Sequence, residues 1–202
     1  MDTLQYGEVR SQIVALLEVA RAASVRSVNA LMTASYWEIG RRIVELEQQG
    51  QERAGYGEAL IKELAKDLTH QFGRGFGWRN LTQMRAFFLA WPPARDLQTA
   101  SAKSIPLGDL AKQFPLPWSA YVRLLSVKSS DARTFYEKET LRSGWSVRQL
   151  DRQVASQFYE RLALSKNKAA MLDKAATPEA GDQVAPEEAI KDPFVLEFSK
   201  KP

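Results

Sequence analysis

The sequence contains no cysteine and only one histidine, His70. Without cysteine the chain cannot form a disulfide, a cysteine-ligated zinc site, an iron–sulfur cluster or a cysteine nucleophile. A single histidine also argues against a histidine-based metal site and a Ser-His-Asp triad. The glycine-rich run at 73–77 lacks the Gly-Lys-Ser/Thr ending of a phosphate-binding loop. We therefore expect no catalytic residue, no metal ligand and no cofactor in this chain.

Long apolar runs are missing as well. No stretch of about 18 apolar residues occurs, so no membrane-spanning helix is expected. The first ten residues, MDTLQYGEVR, are polar and acidic rather than basic and then apolar, so they do not form a signal peptide. The absence of cysteine fits a reducing compartment. These features predict a cytoplasmic protein with no membrane partner.

The overall charge is nearly balanced. The 202 residues include 28 basic and 24 acidic side chains, for a formal net charge of +4, and 45% are hydrophobic. This length suits one domain or two small ones, and the hydrophobic content is sufficient for a core. The small basic excess permits a nucleic-acid partner without requiring one. The distribution of charge along the chain is therefore more informative than its total.

The pattern at 56–91 predicts two helices joined by a tight turn. Apolar residues recur at helical spacing in 60–72 and again in 81–91. Three glycines at 73–77 separate the two runs, and glycine permits the positive φ that a tight turn needs. Pro92 and the proline after it then end the second helix. Helix, short turn and second helix form the plan of a helix-turn-helix unit.

This unit contains basic residues and lacks acidic ones, since no Asp or Glu occurs between Gln71 and Arg95. A recognition helix presents its N-terminal residues to base edges, and Arg, Asn and Gln are common readers. The candidate DNA-binding residues here are Arg74, Arg79, Asn80, Gln83 and Arg85. Helix-glycine-helix corners also occur in proteins that never contact DNA, so Arg79 and Asn80 could instead cap or pair within the fold.

The rest of the chain also predicts helices. Residues 6–49 form either one long helix or two helices that meet near Ala23 and Ser24, and Gly50 is a plausible stop. The proline-rich stretch 92–117 is interpreted as a surface linker or a small wing, with a short helix at about 107–114. We expect an all-α, multi-helix domain, with a winged form of the helix-turn-helix as the alternative.

Three further helices are predicted after Pro117. Ser119 can cap the first of them. Ser130 or Asp131 can cap the second, which stops at Gly144. Ser146 and the glutamine three residues later form a capping box that opens a helix running through to about residue 162.

The segment 121–168 is basic, with ten Lys or Arg and five Asp or Glu. Ordinary pairing on helix surfaces accounts for part of this charge. The surplus could instead follow a phosphate backbone, and for this reason Arg148 and Arg152 join the candidate DNA-binding residues.

The composition changes near residue 169. Residues 169–191 are rich in Ala, Pro and acids, which predicts a flexible linker after a domain at 1–168. The remaining segment, 192–202, begins with DPFVLEF, and its apolar part at Phe194–Phe198 suggests a docking element or the start of another domain.

Several ordered motifs resemble one known family. They are VRSVNALMTASYWEIGRRI at 25–43, RAGYGEALIKELAKDLTHQFGRGFGWRNLTQMRAF at 53–87, LPWSAYVRLL at 116–125, ARTFYEKE at 132–139 and GWSVRQLDRQVASQFYERL at 144–162. Together they resemble the N-terminal domain of the YhcG family, bacterial proteins with a C-terminal PD-(D/E)XK nuclease-like domain. The resemblance implies an all-helical, helix-turn-helix-like module that brings nucleic acid to the nuclease domain. It also implies that 192–202 is the remnant of a junction to that domain.

The chain departs from the family in its catalytic half. The nuclease fold needs an Asp and a nearby Glu-x-Lys or Asp-x-Lys to hold a divalent metal, and here no Asp or Glu is followed two positions later by Lys. The sequence therefore predicts a non-catalytic module that binds nucleic acid, with DNA as the expected ligand. The alternative is a protein-interaction or oligomerisation module that binds a second copy of itself or a full-length nuclease.

Overall fold

The computed structural model describes residues 3–49, 56–92, 105–179 and 181–182. Within these ranges there are nine α-helices, one 3-10 turn and no strand, which confirms the all-α prediction. The helices are α1 Thr3–Gln49, α2 Tyr56–Phe72, α3 Trp78–Ala90, α4 Leu107–Gln113, α5 Trp118–Leu125, α6 Ser130–Ser143, α7 Val147–Ala155, α8 Phe158–Leu164 and α9 Lys168–Ala176. The predicted short helix is present as α4, and the part of the proposed wing at 93–104 lies outside the described residues.

Helix α1 is one continuous helix of 47 residues, about 70 Å long. The chain does not pause near Ala23 and Ser24, because neither residue breaks a helix and the Ser24 hydroxyl donates to the Ala20 carbonyl at 3.0 Å. The two halves of α1 have different surroundings. Residues 5–24 are exposed apart from the half-buried Ala22, whereas burial begins at Val25 and continues to Val44.

The second half of α1 crosses α3 at very short range. A Cβ atom added to Gly40 would lie 2.0 Å from the carbonyl oxygen of Met84, so only glycine fits at this crossing. Two hydrogen bonds fix the same half of α1 to the loops around it. The Thr33 hydroxyl donates to the Leu116 carbonyl at 3.1 Å, and the Trp37 indole donates to the Trp91 carbonyl at 2.8 Å.

Phe87 of α3 lies at the centre of an aromatic core. Its ring centroid is 4.8 Å from that of Tyr121, 5.0 Å from Phe114, 5.2 Å from Trp91 and 5.4 Å from Trp118. These rings come from α3, α5 and the loops beside them, and most of the contacts have the tilted or edge-to-face geometry that aromatic pairs prefer. The core therefore joins α3 to the C-terminal half of the domain.

The polar atoms of this core converge on one carboxylate. Glu137 accepts hydrogen bonds from the Trp91 indole at 2.8 Å and from the Tyr121 hydroxyl at 3.0 Å. Burial, reinforced by the Glu137 carboxylate, raises the pKa of Tyr121 far above its ordinary value. The Tyr121 hydroxyl consequently stays protonated and remains a donor to Glu137.

The helix ends of the C-terminal half differ in detail from prediction. Helix α5 begins directly after Pro117, so Ser119 is not its cap, and Ser129 rather than Ser130 or Asp131 caps α6 by accepting from the Ala132 amide at 3.3 Å. Gly144 ends α6 with a φ of 65°, as predicted.

The capping box at Ser146 is also present. The helix that it opens stops at Ala155, however, because Gln157 has a φ of 51° and starts the separate helix α8. The sequence predicted one helix here because the apolar spacing continues through the break.

Residues 168–176 form helix α9 where the composition predicted a linker. The Asn167 side chain caps this helix, and Ala175 is buried against the domain. Met171 and Leu172 also pack on the main core. Alanine-rich segments have high helix propensity, so a few apolar contacts are sufficient to dock this one. The later part of the predicted linker and the Phe194–Phe198 patch lie outside the described residues.

We predict that Gly40→Ala destabilises the fold by at least about 1–3 kcal/mol, because the added methyl group forces α1 and α3 apart. The matched control is Gly7→Ala, since a Cβ at Gly7 has no atom within 4 Å and the helix gains roughly 0.5–1 kcal/mol from losing a glycine. Thermal unfolding followed by circular dichroism measures both. Equal melting temperatures for Gly40→Ala and wild type would contradict the close crossing.

Candidate nucleic-acid interface

The predicted helix-turn-helix region consists of α2, a 3-10 turn at Arg74–Phe76, and α3. Gly73 has a φ of 88° and turns the chain out of α2, whereas Gly77 has a φ of −62° and an extended backbone that any residue could adopt. Gly75 is buried and does not have a positive φ. Only one of the three glycines is therefore required by backbone conformation.

Helix α3 has one face toward the core and one toward solvent. Leu81, Met84 and Phe87 are fully buried at helical spacing. Arg79 and Gln83 lie four residues apart on the opposite side, where Arg79 is exposed and Gln83 is half-buried. Because the other side of α3 packs on the core, Arg79 in the first turn of α3 faces solvent.

Three of the predicted site residues make no polar contact with any other described residue. Arg74 is exposed at the start of the 3-10 turn, four residues before α3 begins. Within the part of the chain that the structure describes, neither Arg74, Arg79 nor Gln83 forms an ion pair or a side-chain hydrogen bond. Their side chains are therefore available to an external ligand, and the N-terminal end of α3 favours an anion there.

Asn80 is instead part of the fold. Its amide nitrogen donates to the Gly75 carbonyl at 2.5 Å, and its amide oxygen accepts from the Trp118 indole at 2.9 Å. These bonds join the turn, α3 and the start of α5. Asn80 thus has the internal pairing that the sequence left open as an alternative to base contact.

Arg85 also pairs within the protein, since its guanidinium lies 2.7 Å from the carboxylate of Glu47 in α1. A shallow groove lies beside this pair, lined by Glu47, Glu58, Trp78, Thr82 and Arg85 among others. Two carboxylates in the groove disfavour a phosphate backbone on that flank of α3. The flank with Arg79 is therefore the better surface for an anion.

The two candidates in α7 contact the segment after α9. Arg152 donates to both carboxylate oxygens of Asp182, at 2.9 and 2.8 Å, and Asp182 is buried. Arg148 is exposed and donates to the Gly181 carbonyl at 2.8 Å. Both residues therefore hold the end of the described chain against α7. No contact among the described residues joins them to Arg74 or Arg79.

Several other arginines of the basic C-terminal half also contact the protein itself. Arg123 pairs with Asp151 at 2.6 Å, and Arg142 pairs with the buried Glu139 at 2.7 Å. Arg133 donates to the Val127 carbonyl and lies over the ring of Trp91. Much of this basic surplus is therefore used inside the domain.

The exposed Trp78 was not among the predicted site residues. It is the first residue of α3, next to Arg79, and 48% of its surface is exposed. An aromatic ring can stack on a base or pack on a sugar, but Trp78 lines the groove with Glu47 and Glu58, on the flank of α3 that disfavours a phosphate backbone. No sequence signal indicated its exposure, because residue 78 lies three positions before Leu81, a spacing that also fits the core face.

The described residues contain neither a cluster of metal ligands nor a membrane-spanning helix. No three His, Cys, Asp or Glu side chains in residues 3–49, 56–92, 105–179 and 181–182 are grouped closely enough to hold a metal ion. Within the same ranges, no helix combines the length and apolar character needed to cross a bilayer.

The comparisons with known proteins agree on one family. Residues 12–161 match the model of the DUF1016 N-terminal domain. The chain is also 54% identical over 213 aligned residues to an Escherichia coli (strain K12) protein described as "Putative nuclease YhcG". That match covers 97% of this chain and 56% of the relative, so the chain spans little more than half the relative's length. No solved structure matches the chain significantly.

We expect Asn80→Ala to lower the free energy of unfolding by about 1–3 kcal/mol, because it leaves the Trp118 indole and the Gly75 carbonyl without their partner. Arg79→Ala in the same helix is the control, and as an exposed substitution it should change stability by less than about 0.5 kcal/mol. Urea unfolding of both variants compares them directly. If Asn80→Ala were as stable as Arg79→Ala, the proposed internal role of Asn80 would be wrong.

The Arg152–Asp182 pair predicts a pH dependence. Two hydrogen bonds from Arg152, with a further one from the Glu179 amide, lower the pKa of Asp182. A carboxylate with a lowered folded-state pKa adds stability above its unfolded pKa of about 4, and this stability is lost as the pH falls through the folded value.

Asp182→Asn should therefore lower the melting temperature at pH 7 and reduce its fall on acidification from about pH 5 to 2. The control is Asp67→Asn, which changes an exposed acid of α2. Differential scanning fluorimetry across this pH range measures both. A curve for Asp182→Asn parallel to that of wild type would contradict the pairing.

Proposed function

Because the chain belongs to the DUF1016 N-terminal domain family, whose matched relative is described as a nuclease, we propose that it is a nucleic-acid-binding module without catalysis of its own. In this proposal α2, the 3-10 turn and α3 act as a helix-turn-helix unit, with DNA as the ligand. The chain acts in the cytoplasm. Where a nuclease domain follows the module, the module brings DNA to it.

The observation that supports this proposal most strongly is the two exposed arginines, one in the 3-10 turn and one in the first turn of α3. Arg74 and Arg79 lack internal partners among the described residues, and no acid occurs between residues 71 and 95 to neutralise them. A ligand with regularly spaced negative charges fits such a surface, and nucleic acid is the ligand of this kind that a nuclease relative suggests.

The geometry favours phosphate contact over extensive base reading. Helix α3 has 13 residues, about 20 Å, which is sufficient to enter a major groove with its N-terminal end. Asn80 already has two partners in the fold, so Arg79 and Gln83 are the remaining readers on this face. We therefore expect binding with a strong salt dependence and modest sequence preference.

The remaining candidates contribute less to this proposal. Arg148 uses one nitrogen on Gly181 and keeps free donors for a second phosphate contact. Arg152 and Arg85 have their guanidinium groups occupied by Asp182 and Glu47. Contact between either residue and DNA would require breaking an ion pair of the fold, and in both pairs the carboxylate is largely or fully buried.

The experiment is a fluorescence-anisotropy titration of a labelled duplex of about 30 base pairs, from about 50 to 200 mM salt. Wild type should bind, with an affinity that falls steeply with salt. Arg74→Ala combined with Arg79→Ala should weaken binding and reduce the slope of log K against log salt by about 1.8, the value expected when two phosphate contacts are lost.

The matched control is Arg42→Ala combined with Lys112→Ala. It removes the same charge from two exposed side chains that pair only with neighbours on their own helices, at Glu38 and Asp109. Because such pairs contribute little to stability, the control tests net charge alone. Equal slopes for the two double variants would refute the site, and no binding of wild type at low salt would refute the function.

A further inference from the structure

The first half of α1 carries an apolar stripe that nothing in the described structure covers. Apolar residues recur with alternating spacings of three and four, which is the a/d pattern of a coiled coil. This N-terminal stripe consists of Tyr6, Val9, Ile13, Leu16, Ala20 and Ala23. Its central members are strongly exposed, 52% for Ile13 and 67% for Leu16.

A helix in this state needs a partner. Most of the stability of helices in proteins comes from packing of an amphipathic face rather than from helix propensity, and residues 5–24 bury no such face among the described residues. Leu17 and Val19 flank the N-terminal stripe and are 63% and 65% exposed, which widens the apolar surface. The surface is thus wide enough to pack against another helix rather than against an isolated side chain.

We propose that the N-terminal stripe pairs with the same stripe of a second copy of this chain, in an antiparallel coiled coil. In antiparallel pairs an a residue faces a d residue of the other helix. One register then places Ile13 opposite Leu16 at the centre and Tyr6 opposite Ala23 at each end. Val9 faces Ala20 in the layers between, so each of these outer layers combines a larger and a smaller side chain, as close packing requires.

The register also fits the exposed part of the helix. The centre of the pairing lies between residues 14 and 15, because positions 13 and 16 face each other there. Residue 5 of the partner's helix then faces Ser24, next to Val25, the first buried residue of α1. The paired segment 5–24 covers about 30 Å of helix.

The position of the folded domain, which packs on α1 from Val25 onward, excludes the parallel arrangement. After an interruption at the exposed Ser27, the same spacing resumes at Ala30, Ala34 and Trp37, where the folded domain covers it, with Ala34 and Trp37 at most 1% exposed. Two parallel stripes would bring both folded domains into the space between the helices. An antiparallel pair places the two folded domains at opposite ends of the paired helices. The N-terminus of each α1 then lies beside the folded domain of the other copy.

The first test is the molar mass of the full chain by size-exclusion chromatography with light scattering. Wild type should be a dimer, and Ile13→Asp combined with Leu16→Asp should be a monomer with the helical content and melting behaviour of a folded domain. Ser11→Asp combined with Ala15→Asp places the same charges away from the stripe on the same exposed helix and should remain dimeric. A wild-type monomer up to about 100 µM, or a dimer that persists in the stripe variant, would overturn the proposal.

The second test determines direction, using the absence of cysteine as a clean background. An equal mixture of Tyr6→Cys and Ala23→Cys chains should form a mixed disulfide dimer under mild oxidation, because positions 6 and 23 face each other. Each variant alone should crosslink poorly, since two copies of position 6 lie about 25 Å apart along the helix axis. Efficient crosslinking of each variant alone, with little mixed product, would indicate a parallel pair and overturn the register.

Discussion

The close crossing of α1 and α3 at Gly40 sets the position of the elements around it. Gly40 allows the two backbones to meet at Met84, and the hydrogen bonds of Trp37 and Thr33 lie about one and two turns earlier on the same helix. One turn beyond Met84, Phe87 enters the aromatic core and joins α3 to α5. With its inner face fixed in this way, α3 can present Arg79 only to solvent.

The basic residues of the domain divide into two groups according to their distance from carboxylates and carbonyls. Arg85 and Arg152 pair with carboxylates that are largely or fully buried. Because an unpaired buried carboxylate would destabilise the fold, these two arginines stabilise the domain. Arg74 and Arg79 occur in a stretch without acids, and no group in the described part of the chain accepts from their guanidinium donors. A basic excess in the sequence therefore overestimates the surface that is available to nucleic acid.

The two proposals assign different halves of the molecule to different partners. Among the described residues, the turn before α3 and the start of α3 offer charge without an internal partner, which suits a phosphate backbone. In the same residues the first half of α1 offers uncovered apolar surface, which suits another helix. An antiparallel pair of α1 helices would hold two copies of α3 at opposite ends of the dimer. Such a dimer could engage two separate segments of DNA, an arrangement that a monomeric module cannot provide.

The sequence by itself determined the all-α class, most helix positions, the stop at Gly144 and the capping box at Ser146, because these depend on contacts between residues three to five apart. Tertiary structure alone decided that Asn80 bonds to Trp118, that Arg152 holds Asp182, and that α9 docks through Ala175. It also decided that one half of α1 is covered and the other exposed. Trp118 lies 38 residues from Asn80, and Asp182 lies 30 residues from Arg152. Local spacing contains no information about which distant groups folding brings together.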